Sequence, residues 1–412
     1  MRRSAVVAAS VLDQAASSLT NILVLVMAAR VSSTGGFAAF SMVYLTFTVL
    51  LGLNMSYVGQ AVVLERGDTR ALASACRSAA AFTGCAALVA GVLLVVGGAV
   101  AGGRLGGAFL ALGVVLPVVL LQDGLRYSFS ALQQPHRALT ADGLRLVCVV
   151  PALLVQPHQA SPARLVAVWG VSALPALLLG LLLLRPFVTG AATQLRRYVR
   201  RGHLGMRFVV EFTVGNASSQ LAVLGLGLFA SPLAVGALRG ATTLFGPLNV
   251  LFNSVNAFGP PVLGRLGGRR ATTRAAALLA AVLAAVGFGW AAVLYALPDR
   301  MGHQLLGATW QSAAALLPAT GSQYAVMALG TCALVTLRVI SPRATLSLQV
   351  VFSLLSVVLM LGGYGLGGAI GAAWGLAAGS ALKAAAAWIR VAGLGRTPEP
   401  SATGQRSAAP LS

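Results

Sequence analysis

Twelve runs of roughly 20 predominantly apolar residues follow one another along the chain, at about 13–31, 38–64, 78–101, 106–133, 139–156, 163–184, 208–229, 233–258, 273–297, 312–337, 344–363 and 366–389. A helix of that length crosses the hydrocarbon core of a bilayer. A backbone in hydrocarbon must satisfy its own hydrogen bonds, which leaves helices as the structure for runs of this kind. Composition excludes the water-soluble alternative. Charged residues make up 9% of the 412 and hydrophobic residues 58%, where a soluble domain carries about 25% charged. The chain therefore reads as an all-α polytopic membrane protein of about 12 spans. The fifth, seventh and eighth runs are the least hydrophobic, because charges or amides interrupt them. Arg2 and Arg3 lead directly into a span containing Asp13, and no small-residue cleavage site follows, so a cleavable signal peptide is not expected.

The formal charge of +21 arises from 29 basic against 8 acidic residues. Nucleic-acid binding is not implied, because the arginines lie in short loops between apolar runs, the topogenic use of positive charge. With the N-terminus inside, 21 of the 29 basic residues fall in inside segments, 4 fall outside, and Arg126, Arg145, Arg239 and Lys383 fall within spans. That bias predicts a plasma (inner) membrane protein with both termini cytoplasmic. The basic stretch RRYVRRGH separates residues 1–190 and 208–392, six spans each, through a cytoplasmic linker at 191–207. Residues 397–412, rich in Pro, Ser, Ala and Gly, read as a disordered tail. Segments 35–59 and 235–259 show a weak likeness, and Asp13 and Glu211 open corresponding spans. Parallel repeats would relate the halves by an axis along the membrane normal, although chance likeness between apolar helices is common.

Ionisable residues inside spans are costly and are functional candidates by default. The tetrapeptide DGLR occurs at 123–126 and again at 142–145, symmetrically about residue 134, in a helical hairpin. Each aspartate can therefore face the other helix's arginine, giving crossed pairs Asp123–Arg145 and Asp142–Arg126. These serve either as a structural clamp or as a gate. Arg239 has no acid within one helical turn; it either snorkels outward or faces a hydrated cavity, where its planar fork suits a phosphate. Asn249, Asn253 and Asn256 share one face of that span below the kinking Pro247, as interhelical glue or as a cavity wall. Asn216 and Gln220 repeat the idea in the seventh span. Asp13 and Glu211 are either helix caps in the headgroup zone or coupling carboxylates. The four cysteines and four histidines are scattered, so no disulfide framework, metal site or cofactor is expected. No G-x-x-x-x-G-K-[ST] occurs.

Three stretches, DQAASSLTNILVLVMAARVSSTGGFAAFS, the long run from RRYVRRGHLGMRF to ALRGATTLFGPLNVL, and GATWQSAAALLPATG, resemble the multidrug/oligosaccharidyl-lipid/polysaccharide exporter superfamily, on its polysaccharide (lipid-linked oligosaccharide) flippase branch. The likeness covers about residues 10–392. It implies two six-helix bundles around a central cavity that opens alternately to either side. The implied cargo is an isoprenoid (undecaprenyl) pyrophosphate carrying a sugar chain, with membrane lipids around it and glycan polymerase or ligase machinery as neighbouring partners. The cavity cations expected on that branch would here be Arg239, with Arg126 and Arg145 as further candidates. A cation-coupled multidrug exporter of the same fold, using Asp13 or Glu211, is the alternative. A membrane glycosyltransferase or polymerase is a third reading, disfavoured because Asp299 is the only carboxylate expected outside. No enzymatic activity is expected.

Overall fold

The computed structural model describes residues 3–65, 68–200, 202–213, 218–263, 268–341 and 343–396. Twelve helical spans form two six-helix bundles. The first six are Arg3–Val31, the helix Thr34–Asn54 continued through a π-helical turn Met55–Gly59 to Gln60–Val63, Thr69–Ala101, Gly103–Ala131, Pro135–Leu154, and the pair Pro162–Val171 and Leu174–Val188. The seventh comprises Leu204–Phe212 and Ser218–Phe229, the eighth Pro232–Leu244 and Gly246–Leu263, the ninth Arg269–Tyr295 and the tenth Leu317–Ile340. The last two form one 54-residue helix, Arg343–Arg396, bent at Gly367 and Gly368. Gly368 lies at φ 56, a conformation that only glycine adopts without strain. The end at which the tenth span closes, with Arg338 and Arg343 flanking Ile340 in sequence, is called the basic end here; the other is the far end.

Seven described helices are individually long and apolar enough to cross a membrane, and one of them, Ser347–Leu394, is long enough to cross twice. The remaining four crossings are the first, fifth, seventh and eighth spans. They are the crossings that carry Asp13, the second DGLR, the Gln220 region and Arg239. Low hydropathy thus coincides with inward-facing polar groups, because a side chain that faces a cavity does not have to dissolve in lipid. The break in the eighth span falls at Phe245, two residues before Pro247. A proline lacks the N–H for the ladder and disfavours helix at the residue before it.

The N-terminal bundle holds the densest aromatic core. Tyr44 packs tilted on Trp169 with centroids 5.4 Å apart, and Phe47 meets the same indole edge-on at 4.8 Å. Elsewhere the bundles rely on glycine. An added Cβ on Gly91 would meet Gly113 O at 2.5 Å, and one on Gly113 would meet Gly91 O at 2.5 Å. Gly98 and Gly106 repeat this one heptad away. The third and fourth spans thus approach backbone to backbone, the small-residue packing that replaces hydrophobic driving force in lipid. At the far end the bundles meet where Gly236 lies against Ala38, its added Cβ 3.1 Å from the Ala38 Cα. Gly307, at φ 55, sits against Ala29 O and Arg30, and Thr34 Oγ1 donates to Ala308 O at 3.4 Å.

The linker docks on the N-terminal bundle. Tyr198 is 1% exposed and stacks on Phe82 at 4.6 Å. The Tyr57 hydroxyl, in the π-helical turn, donates to Tyr198 O, and Arg197 pairs with Glu65 at 2.5 Å. His203 lies over both tyrosines, 4.8 and 5.0 Å away, and its Nδ1 accepts the Gly205 N–H at 3.1 Å. Burial first, and then the Arg197 guanidinium, hold the His203 imidazole below its ordinary value of 6.5. A group whose folded value is depressed in this way, and which is basic, stabilises through its neutral form. Its contribution is fully present above about pH 6.5 and is lost as pH falls.

Two outcomes are expected. Gly91→Ala or Gly113→Ala should lower stability by about 1–3 kcal/mol through overpacking, whereas Gly84→Ala, with nothing within 4 Å of its added Cβ, should not; thermal unfolding in detergent compares them. The gap in melting temperature between wild type and His203→Ala should be widest above pH 6.5 and shrink as pH is lowered. A gap that widens in acid would contradict the neutral-imidazole cap.

Candidate functional site

Two polar assemblies lie within the spans, and they differ in charge. The first is a buried cluster in the N-terminal bundle. Asp13, Asp123, Asp142 and Arg145 are each at most 6% exposed. The Arg126 guanidinium sits at their focus, with Nε 3.2 Å from Asp13 Oδ2, Nη1 3.7 Å from Asp123 Oδ1, and Nη2 bonded to Asp142 Oδ2. Gln122 Nε2 donates to the other Asp142 oxygen at 2.8 Å, and Arg145 Nη1 donates to Gln122 Oε1 at 2.5 Å. Of the crossed pairs expected from the DGLR symmetry, Asp142–Arg126 forms. The other does not: Asp123 turns to Arg126 on its own helix at i+3, and Gln122 intercepts Arg145. The reason is Asp13 of the first span, which draws Arg126 into a three-carboxylate focus that no hairpin geometry contains. Three carboxylates here face two guanidiniums. Asp13 Oδ1 and Arg145 Nε and Nη2 are buried without hydrogen-bond partners, so the cluster is incompletely satisfied.

The second assembly is a cavity of about 700 Å³, walled by the seventh, eighth, tenth, eleventh and twelfth spans with Leu45, Met55 and Gln60 of the second. It lies largely in the C-terminal bundle rather than evenly between the halves. Its cations are Arg239, Arg338 and Lys383, and its neutral polar groups include Gln60, Gln220, Asn249, Gln323, Gln349 and Ser380. Among the described residues no carboxylate lines it. The cavity runs along the tenth span from Thr320 to Arg338, about 27 Å at 1.5 Å per residue. Arg239 marks the far-end level, since the next residue, Gly240, packs on Ala313. Lys383 is level with the middle of the tenth span, where Gly330 packs on Ala384. Arg338 lies at the basic end, two residues before Ile340. The three cations therefore form a ladder of successive depths along the tenth span.

Arg239 faces inward. Its guanidinium carbon is 5.9 Å from the Tyr44 ring centroid, and its Nε is buried without a hydrogen-bond partner. A cation over an aromatic face gains some attraction, yet the fork keeps free donors. The outward-snorkelling reading is thereby replaced by the cavity-facing one. Asn249 Nδ2 donates to the Tyr324 hydroxyl at 3.1 Å, and Gln220 Oε1 accepts from Thr48 Oγ1 at 2.9 Å across the two bundles. Asn216 lies outside the described residues, as do the side chains of Glu211, Asn253 and Asn256. Arg126 and Arg145 do not line the cavity; the aspartates and Gln122 occupy them. Lys383 and Arg338 do line it, and sequence reasoning had left them as a span charge and a loop charge. A helical period applied to the twelfth span would have found the first, because Leu376, Gly379, Ser380 and Lys383 share one face.

Comparison with known proteins adds the fold. No family model and no curated protein sequence matches the chain. Solved structures do. The lipid II flippase MurJ in an inward closed conformation matches with a TM-score of 0.70 at 9% identity, over 91% of this chain and 86% of that one. An inward-facing multidrug resistance MATE family transporter of the MOP superfamily matches at 0.66 and 12% identity, over 92% and 96%. An outward-facing structure of a MATE family transporter matches at 0.58 and 11%, over 94% and 95%. The fold is thus the one these transporter and flippase structures share, as the sequence resemblance implies.

The cluster yields its own expectation. Arg126 answers three carboxylates and Arg145 none directly, so Arg126→Gln should destabilise more than Arg145→Gln. Breaking a buried pair costs about 3–5 kcal/mol, and thermal unfolding of the two purified variants measures the order. Equal losses would restore the symmetric crossed-pair arrangement.

Proposed function

We propose that the protein is a flippase or exporter that moves lipid-linked glycan precursors of the undecaprenyl-pyrophosphate type across the plasma membrane by alternating access, performing no chemistry on them. The observation that carries this reading is the cavity charge: Arg239, Lys383 and Arg338 line it, with no carboxylate among its described lining residues. Arg239 and Lys383, held in low dielectric and facing no described carboxylate, are expensive to keep charged, so a cavity of this kind favours an anion that displaces water from it. A pyrophosphate headgroup supplies that charge, and a guanidinium meets it with a bidentate fork. The amides and serines of the wall offer hydrogen bonds suited to sugar hydroxyls, while a prenyl tail remains in lipid. In this reading the basic end, with both termini and the linker, is cytoplasmic, in keeping with the arginine bias.

The same charge argues against a multidrug exporter of organic cations, which would meet repulsion at every rung. A glycosyltransferase or polymerase would require acids or bases beside its substrate; the described aspartates inside the spans, Asp13, Asp123 and Asp142, are instead engaged with Arg126. The surplus carboxylate of that cluster is the place for a coupling proton. Asp13→Asn should therefore change the dependence of transport on the pH gradient while leaving cargo binding intact.

Transport of a lipid-linked glycan by the purified protein in vesicles tests the reading. Arg239→Ala should abolish it at normal membrane levels, and Arg239→Lys, which keeps the charge but loses the fork, should retain part of it. Lys383→Met should lower it by about tenfold or more, the scale of one charge-assisted hydrogen bond. Wild-type rates in both Arg239→Ala and Lys383→Met would overturn the anionic-cargo assignment.

A further inference from the structure

We infer that the protein carries a second binding site, for an anionic phospholipid, in a groove between the third and sixth spans at the basic end. The groove has a volume of about 550 Å³. Its floor is Ala80, Leu178, Leu181 and Leu182, and its rim is Arg77 and Arg185. Leu178 and Leu182 are 58% and 63% exposed, on a face of the bundle that meets hydrocarbon. Among the described residues the lining includes two guanidiniums and no carboxylate. The site shares no lining residue with the central cavity and does not depend on the nature of the cargo.

What separates this groove from an ordinary lipid-facing surface is that its rim is built. Arg77 Nη1 donates to Ala191 O at 2.8 Å, Ser74 Oγ donates to Ala192 O at 2.7 Å, and Gln194 N–H donates to Ser78 Oγ at 2.8 Å. Gly190 turns the chain at φ 75, so that residues 191–194 return across the third span and close the end of the groove. Arg77 is thereby fixed before any ligand arrives, and the ordering cost that weakens most surface contacts is already met. Arg185, one turn before the end of the helix Leu174–Val188, is exposed on the opposite rim. A phosphodiester between the two gains charge-assisted hydrogen bonds, and its acyl chain lies along the leucines. Basic pockets between membrane helices recognise anionic headgroups in this way. A zwitterionic lipid would bring its own cation to the same rim.

Native mass spectrometry of the full-length protein in a neutral detergent, titrated with phosphatidylglycerol or phosphatidylcholine of identical chains, tests the site. Phosphatidylglycerol should bind preferentially, and Arg185→Gln should cut that preference by about fivefold, the contribution of one interfacial arginine. Leu182→Trp, which fills the floor, should lower occupancy by either lipid, and Arg300→Gln at the far end should change neither. Arg185 is solvent-facing, so that variant decides the matter even where Leu182→Trp folds poorly. Equal binding of the two lipids, or an undiminished preference in Arg185→Gln, would overturn the assignment.

Discussion

A positive charge inside a membrane protein must be answered by a carboxylate, by water or by a ligand, and this structure answers it differently in its two halves. In the N-terminal bundle Arg126 is surrounded by Asp13, Asp123 and Asp142, so the charge is consumed internally and the first, fourth and fifth spans are tied together. In the C-terminal bundle Arg239 and Lys383 face a cavity whose described lining holds no carboxylate. The first arrangement builds a scaffold. The second holds unspent charge where a cargo could meet it. Replacing a buried ion pair by apolar residues is often neutral or stabilising, so the clustered charges are not explained by stability alone; they join three helices at one point, which a hydrophobic layer would not specify.

The same division appears in the helices themselves. The spans that cross on hydropathy alone, such as Thr69–Ala101 and Arg269–Tyr295, present leucine and valine to lipid and pack on glycine and alanine. The interrupted spans are the ones with work inside the protein. The break at Phe245 in the eighth span falls between Thr242 and Asn249, both in the cavity wall, where backbone that leaves the helical ladder can find water or side-chain partners. The π-helical turn Met55–Gly59 of the second span belongs to the same set, since Met55 and Gln60 line the cavity and the linker grips Tyr57 from the other side.

Much of this was legible in the sequence, for physical reasons that also define where legibility stops. Hydrocarbon imposes a length and a composition on every span, so the twelve crossings could be read from apolar runs. Proline placed the break of the eighth. The cavity-facing role of Arg239 was readable as one of two alternatives because no acid stands within a turn of it. The ion pairs were only half readable: local symmetry correctly paired Arg126 with Asp142, but the pull of Asp13 comes from a helix more than a hundred residues away, and no periodicity encodes that contact. Arg338 was missed because charge counting assigned it to topology, and Lys383 because it was counted within a span without asking which way it faces. The linker's docking through Tyr198 and His203 was equally hidden, since a polar stretch shows nothing of the aromatic surface it lies on.

The spacing of the cavity cations bears on how an anionic cargo would move. The cations stand at successive depths along the tenth span rather than gathered at one level. A headgroup would therefore meet Arg338, Lys383 and Arg239 in turn, each time exchanging one set of charge-assisted bonds for another. Conduction through any membrane path requires binding strong enough to enter and weak enough to leave. A single site gathering all three cations would bind a doubly charged headgroup tightly and release it slowly. Spreading the same charge along about 27 Å of the tenth span lowers the barrier to entry at every depth while leaving no deep trap. In this fold the depth of each rung is set by small residues: Gly240 against Ala313 for Arg239, and Gly330 against Ala384 for Lys383. The helix packing that closes the bundle is thus also what spaces the charges.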